Sequence, residues 1–363
     1  MSGEEYTRRS VHAWIPPGKR FGWMLLRQAA AAAQGLRIVV YENWRPELDE
    51  VLQSLPEQDT FPHELFRLLM TLPGSGRKQI ILVKEKGEPI ALAGVRNSWG
   101  YWESVTHGIV PGVLFPVKEN YLERVLPALG LDLYVQCWRW PELPQIVRWM
   151  RQVELLWSHG IACSDDFEAY WRRSGNFKTI RKARNRCRGF ELKVNAANST
   201  EWIIKGWDQR WRGSQDGGPD IADRLVAAEY LQKRGLYYSH LLLDGSKPAA
   251  GVTTIIHRNE AVAHYSYRNP DYDRHGAMTR LKELLFFWAR DMGLDAISIG
   301  QRHDYKLRWA PERDRYMTFK VYPDIILARD RVSRSLRAVN GKLGKMIHGP
   351  GYLTASGGLP ERP

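Results

Sequence analysis

Two rhythms alternate along this chain. Short apolar or alternating runs give way to stretches in which apolar residues recur every three or four positions, the pattern of an α/β protein. RIVVY, residues 37–41, predicts a short buried strand. Helical spacing follows over 46–55 and again over 62–72. IILVKEKGEPIALAGV, residues 80–95, holds two β-rich runs around a turn at Lys86–Pro89, a hairpin signal. HLLLDGSKPAAGVTTI, residues 240–255, repeats that order: apolar run, Gly-bearing turn, Pro, Ala, β-branched run. A further strand follows each hairpin, YWESVTHGI in the first half and EAVAHYSYR in the second. Repeated order of this kind predicts two domains of one fold in tandem.

The boundary falls near Arg151–Ile161, where a long helix carrying Trp149 and Trp157 is predicted. The expected division is a helical arm over 1–35, a first domain over 36–158, a second over 159–327, and a basic helix with a Gly/Pro/Ser-rich disordered tail over 328–363. The arm's helix runs from Phe21 to Gln34 and stops at Gly35; Arg27 breaks its apolar run, so it does not read as a secretory leader. No apolar run reaches the length of a membrane span.

The most informative stretch is 261–309. AVAHYSY alternates, with His264 and Ser266 on one face and Ala263, Tyr265 and Tyr267 on the other. The helix over 277–292 buries Met278, Leu281, Leu284, Leu285, Trp288, Ala289 and Met292 on one face and ends at Gly293. DAISIG is the next strand. A helix N-terminus beside a strand end carries free N–H groups and partial positive charge, which suits a phosphate. Arg274, His275, Gly276 and the N–H groups of Ala277, Met278 and Thr279 therefore form a candidate pyrophosphate cradle. An ordinary helix entry with a turn glycine fits the same letters.

Composition narrows the partners. The 363 residues exceed what one core comfortably serves. Net charge of +13 favours polyanions: nucleic acid, anionic lipid or phosphorylated ligands. Lys178, Arg181, Lys182, Arg184, Arg186 and Arg188 lie on one predicted helix with no acid; Phe177, Ile180, Ala183 and Cys187 make its apolar face. That helix is either a polyanion contact or a solvated face. Arg329–His348 is a second basic segment, suited to an anionic membrane or RNA. The 15 tryptophans predict a Trp-rich core. Three cysteines without a CxxC pair fit a reducing cytoplasm and support no zinc ribbon. PGSGRK, 73–78, fails the P-loop pattern, and neither HExxH nor GxSxG occurs, so no metal or serine-hydrolase site is expected.

Four segments carry a family resemblance. NFKTIRKARNRCRGFELKV (176–194) resembles a domain-opening K-x-R-x-x-I-R-K-A helix and its strand, and GSKPAAGV (245–252) a G-x-P-x-A turn. YRNPDYDRHGAMTRL (267–281) resembles a Y-D-x-x-Y…G-x-x-L loop and helix start, and GQRHDYKLRWAP (300–311) a closing G-x-x-x-Y-K-x-x-W signature. Together they are similar to the GNAT superfamily of acyltransferases, in the branch that holds cellulose-biosynthesis-associated acetyltransferase-like proteins and Fem-type aminoacyltransferases. The resemblance implies an α/β fold of two tandem GNAT-like domains, the first degenerate, each a mixed twisted sheet flanked by helices. It implies an acyl donor whose carbonyl sits where two parallel strands splay, attacked directly by an amine or hydroxyl. Proton transfer then falls to Tyr265, Tyr267, Asp273 and Tyr305, with Asp271, His303 and Asp304 as further candidates; Lys306 is a charge partner for the ligand. The family's Q/R-x-x-G-x-G/A motif is not met around Gly276, and Ser298 stands where many branch members have Asp. The expected activity is transfer of an acyl group from acyl-CoA, with aminoacyl-tRNA as the alternative donor, to an amine on a sugar, polysaccharide precursor or small metabolite. A non-catalytic binding protein of envelope or polysaccharide assembly is the third reading. The expected location is the cytoplasm, with peripheral contact to the inner membrane face.

Overall fold

A computed structural model of the chain describes residues 31–57, 62–72, 78–98, 101–105, 115–129, 133–137, 152–211, 221–301 and 304–320, together with Gln28, Ala29 and Ile109. The strands are β1 (Arg37–Tyr41), β2 (Lys78–Glu85), β3 (Glu88–Ser98), β4 (Tyr101–Ser104), β5 (Leu133–Cys137), β6 (Gln152–Ala162), β7 (Glu191–Val194), β8 (Tyr237–Asp244), β9 (Lys247–His257), β10 (Glu260–Arg268), β11 (Ala296–Gln301) and β12 (Glu312–Lys320). The helices are α1 (Glu47–Gln53), α2 (His63–Thr71), α3 (Leu122–Leu129), α4 (Phe167–Arg173), α5 (Phe177–Arg186), α6 (Ser199–Trp211), α7 (Ile221–Lys233) and α8 (Ala277–Asp291). Short 3₁₀ turns over Pro270–His275 and Asp304–Arg308 flank α8 and β11.

Both predicted hairpins form. Lys86 and Gly87 take φ of 49° and 93° between β2 and β3, the two left-handed positions that a tight hairpin turn requires. The strands join one mixed sheet in the order β1-β2-β3-β4-β5-β12-β6-β11-β10-β9-β8-β7. Adding six to each label of the first half gives the matching strand of the second, so the order is palindromic. The parallel pairs obey the same relation: β4 with β5 and β10 with β11. The last strand of each half crosses over. β6 pairs with β11, β12 pairs with β5, and β6 and β12 pair with each other at the centre.

Burial organises the layers. Phe167, Trp171, Ile180, Leu281, Leu285, Phe286 and Trp309 pack α4, α5 and α8 onto one face of the second half's strands. On the other face, a cluster spanning both halves joins Leu48, Phe66 and Leu69 to Ile203, Ala227 and Leu231. Asp223 on α7 ties this junction with Lys78 Nζ at 3.1 Å and Arg96 at 3.8 Å, all three nearly buried. A third cluster packs α3 onto β2 and β3.

Three expectations are corrected. The segment predicted as a long helix near Arg151–Ile161 is strand β6, laddered on both sides; a short apolar run does not by itself distinguish helix from strand. β1 is an edge strand paired with β2, and within it only Ile38 is buried, because a strand at the rim has one neighbour to hide against. The alternation of AVAHYSY is broken: the β10–β9 register shifts between Ala263 and Ser266. The rings of the sequence neighbours His264 and Tyr265 consequently lie 3.9 Å apart, where a regular strand would send them to opposite faces. Most of the predicted Phe21–Gln34 helix, Trp149, the 73–77 loop and the basic segment after Lys320 lie outside the described residues; Gln28, Ala29 and Ala31–Ala33 are helical.

Candidate functional site

The site begins where two parallel strands part. β10 and β11 pair at Glu260/Ala296, Ala261/Ile297 and Val262/Ser298. Beyond Val262, β10 bulges and runs on to Arg268, while β11 runs on to Gln301 with no further pairing between them. Main-chain groups facing this gap are therefore available to a ligand, which is what an acyl carbonyl requires. Gly300, at φ 81°, lies in the gap; a Cβ there would stand 3.7 Å from the Ala263 carbonyl and 3.6 Å from Lys306 Nζ. Lys306 thus reaches into the mouth of the splay.

The α8 N-terminus opens beside it. Asn269 accepts from the Asp271 N–H at 3.1 Å and starts the 3₁₀ turn, which ends when Gly276 adopts φ 74°. A Cβ on Gly276 would come within 3.3 Å of Ala183 Cβ, so backbone geometry and the approach of α5 both call for glycine. Arg280 N–H donates to the Gly276 carbonyl at 3.0 Å, so the N–H groups of Ala277, Met278 and Thr279 precede the first intrahelical bond.

Helix α5 is fastened over this N-terminus. Arg186 donates to the Arg274 carbonyl at 2.6 Å, and the Cys187 thiol lies 3.5 Å from the His275 carbonyl oxygen. Arg184 is held between Glu168 and the fully buried Glu283, which also takes Arg280 at 2.6 Å. One charge of the basic helix is thereby neutralised inside the protein. Lys178, Arg181, Lys182, Arg186 and Arg188 remain exposed.

A second cationic group surrounds the splay. Arg268, at the end of β10, pairs with Asp273 at 3.3 Å. Lys282, from the second turn of α8, lies 4.8 Å above the Tyr305 ring and 5.9 Å from that of Trp309. Burial, and next the Arg268 charge, push Lys282 down to about 8. Burial, and next the Lys282 charge, push Lys306 down to about 7. Arg210, at the end of α6, is also lowered, by burial and then by Arg268.

The predicted residues separate in space. Tyr267, Asp273, Tyr305 and Lys306 gather around the mouth. Tyr265 instead lies in the core, 3% exposed, with its ring 5.0 Å from Trp207 and 5.1 Å from the Arg224 guanidinium; burial raises its phenol. Tyr267 packs edge-on to Trp202 at 4.8 Å and walls a cavity of about 410 Å³ that Asn198, Glu201, Lys205, Gly206 and Gln209 complete. Arg274 is exposed, and the His275 ring sits 6.1 Å from Phe190 and 5.6 Å from Tyr272. Ala277 is buried, and Met278 and Thr279 are half-buried at the helix start. Asp271 and Asp304 are exposed, and His303 lies outside the described residues. Sequence reasoning missed Arg210, Arg268 and Lys282 as site residues; the one signal was that Arg268 and Lys282 flank the segment carrying the loop and helix start. Among the described residues no cluster of His, Cys, Asp or Glu could hold a metal.

These features define a class. Residues 174–307, somewhat over a third of the chain, match the family model described as acetyltransferase (GNAT) domain, a family whose chemistry is acyl transfer. No curated protein matches the chain. Among solved structures, L-PGS from Bacillus licheniformis is 14% identical, with a TM-score of 0.51 over 81% of this chain and 97% of that one. The C-terminal domain of a putative lysylphosphatidylglycerol synthetase from Agrobacterium fabrum is 13% identical, with a TM-score of 0.47 over 79% and 96%. FemX is 10% identical, with a TM-score of 0.45 over 78% and 96%. The first of these likenesses extends the shared fold over most of the chain. No described helix is long and apolar enough to cross a membrane.

Proposed function

We propose that the chain is an N-acyltransferase that takes an acyl group from acyl-CoA and passes it to an amine. The observation that carries this reading is the parting of β10 and β11 beside the α8 N-terminus: a carbonyl-sized gap adjoining an anion-binding helix end. The donor's phosphates meet the N–H groups of Ala277, Met278 and Thr279, with Arg274 and the exposed cations of α5 alongside. The thioester carbonyl enters the splay, where backbone N–H groups stabilise the oxyanion. Lys306, depressed to about 7, has a substantial neutral fraction near neutral pH and can accept a proton there. Tyr305 and Asp273 stand at the same mouth for the remaining proton transfers. The acceptor is an amine on a sugar, polysaccharide precursor or small metabolite.

A second reading has aminoacyl-tRNA as donor, and the exposed cations Lys178, Arg181, Lys182 and Arg186 of α5, with Arg188 just beyond it, favour it, since such a face suits a long phosphate backbone. The fold shared with L-PGS is compatible with either donor. The palindromic strand order supports two tandem GNAT-like lobes, nominally 36–158 and 159–327, each closed by the other's last strand. A cytoplasmic location and contact of the basic C-terminal segment with an anionic membrane belong to the same proposal.

A donor panel by calorimetry tests it. Acetyl-CoA and longer acyl-CoAs are expected to bind the full chain, and Gly276→Trp to abolish that binding. Binding of charged tRNA with failure of every thioester would transfer the assignment to the second reading. Failure of both donors would sink the acyltransferase reading.

A further inference from the structure

The cavity of about 410 Å³ beside Tyr267 shares no lining residue with the Gly276 cradle. Its size is that of an ordinary small-ligand site, about 300–1,000 Å³. One wall is a stripe of α6: Glu201 and Trp202, then Lys205 and Gly206, then Gln209, with Asn198 just before the helix start. Residues three and four apart share a helix face, so the stripe runs for about 16 Å. The other wall is Tyr267. Its ring rests on bare backbone at Gly206, where a Cβ would stand 2.3 Å from it, and Trp202 meets it edge-on at 4.8 Å. Tyr267 belongs to the stretch of β10 after Val262, which has parted from β11. The cavity is therefore walled by the strand that forms one side of the splay.

The lining is aromatic and hydrogen-bonding, and its charges cancel. Lys205 and Glu201 pair at 2.5 Å with both side chains about half exposed, so each keeps hydrogen-bonding capacity for a ligand. Asn198 and Gln209 add two exposed primary amides, each both donor and acceptor. A phosphate or carboxylate would meet the Glu201 carboxylate together with the ammonium. A hydrocarbon chain would strip water from the amides and the ion pair without replacing its hydrogen bonds. A sugar matches on both counts: its C–H faces lie against aromatic rings, and its hydroxyls donate and accept alike.

We propose that this cavity is the acceptor subsite and takes an amino sugar without phosphate or carboxylate, its ring seated on Trp202 and Tyr267 and its hydroxyls held by Asn198, Gln209 and the Glu201–Lys205 pair. The word acceptor rests on the acyltransferase reading; the sugar subsite itself rests on the cavity. Tyr267 is the hinge of the argument, since it walls the cavity and stands at the mouth of the splay. A sugar held against it presents its amine to the donor carbonyl. The stripe is longer than one sugar ring, so a linked pair of units is a better ligand than a single one.

Calorimetry and saturation-transfer NMR on the full chain test this with three probes. They are glucosamine, its β-1,4-linked dimer, and cyclohexylamine, which keeps a ring and an amine but lacks the hydroxyls. The dimer is expected to bind about tenfold or more tighter than cyclohexylamine, with glucosamine between them. Trp202→Ala should weaken the dimer by about fivefold or more, the size of a lost aromatic contact. Trp202 also packs on the core. The double variant Asn198→Ala/Gln209→Ala, at exposed positions, therefore tests the same preference without disturbing that packing, and should bring the dimer toward the affinity of cyclohexylamine. Lys233→Gln, on the exposed side of α7, should keep the preference. Saturating acetyl-CoA should leave the dimer bound. Failure of both sugars to bind, equal affinity of dimer and cyclohexylamine, or a preference that survives both site variants overturns the proposal. So does displacement of the dimer by acetyl-CoA, which would give the cavity to the donor. If the dimer binds as expected while no acyl donor does, the sugar subsite stands and the acyltransferase reading falls. If acyl-CoA is consumed and cyclohexylamine is acylated as readily as the sugars, that reading stands and the subsite falls.

Discussion

Gly206→Ala sets two effects of opposite sign against each other. Gly206 lies inside α6, where alanine would normally add about 1 kcal/mol of helix stability. Its position on the helix faces Tyr267. A Cβ there would lie 2.3, 2.4 and 2.5 Å from three atoms of the Tyr267 ring. Carbon atoms pack at about 3.5–4 Å, so the ring must retreat by about 1 Å or more. Its freedom to do so is small: Trp202 packs on it at 4.8 Å, and its backbone is laddered to Gly251. Overpacking of this kind costs about 1–3 kcal/mol, which exceeds the helix gain and leaves a net loss of about 1–2 kcal/mol at the upper end of that range. Tyr267 is also pushed out of the mouth of the splay, so transfer should slow together with the loss of stability. Urea unfolding measures the first through the midpoint at constant slope, and steady-state transfer the second. The decisive comparison is the same substitution in a Tyr267→Ala background. With the ring gone the clash vanishes, and Gly206→Ala should then stabilise by about 1 kcal/mol. A single Gly206→Ala variant more stable than the parent, or the same destabilisation in both backgrounds, would refute the steric argument.

Lys306 and Lys282, lowered to about 7 and about 8 from 10.5, make stability depend on pH in the alkaline range. Between those values and 10.5 the unfolded chain holds protons that the folded chain has released, so stability should rise with pH, by at most about 1.4 kcal/mol per unit for each lysine. Urea midpoints across pH 7–10, on the order of the window set by these shifts, would show the slope, and Lys306→Met should flatten its lower part. Glu283→Gln should cost about 3 kcal/mol, because Arg184 and Arg280 lose their shared fully buried carboxylate while Glu168 still holds Arg184; a midpoint shift below about 1 kcal/mol would mean that Glu168 suffices.

What could be read from the letters was local. The hairpin turns, α8 with its Gly276 entry, and the repeated order of the two halves are each carried by a few adjacent residues. Hidden from the letters was whatever depends on a neighbour brought from elsewhere. QVELLWSHGIA has enough apolar residues for a buried helix, and its assignment to a strand is made by β11 and β12, which flank it. Nothing in AVAHYSY marks a bulge, so Tyr265 read as a site residue although the irregularity leaves it in the core. The cationic group is only partly legible for the same reason: Lys306 reads as a charge partner for the ligand, but Arg210, Arg268 and Lys282, which come from other elements, do not. The basic helix was half legible: its charge was plain, but the partners that take up Arg184, Glu168 and Glu283, were not.

The exchange of last strands alters what it means for the second half to carry the site. β11 forms one wall of the splay, and its outer edge is held by β6, from Ala296/Ala162 through Ser298/Gly160, before the register shifts to Gln301/Ser158. That shift falls where β11 leaves β10 and where Gly300 takes its left-handed conformation. β6 in turn is laddered to β12 from Gln152 to His159, and β12 to β5 of the first half. The width of the gap that receives a carbonyl is therefore set by a ladder reaching into the first half, although the side chains ringing it come from the second. On the proposed reading the first half is required for catalysis too, because it anchors the ladder against which the splay is held open.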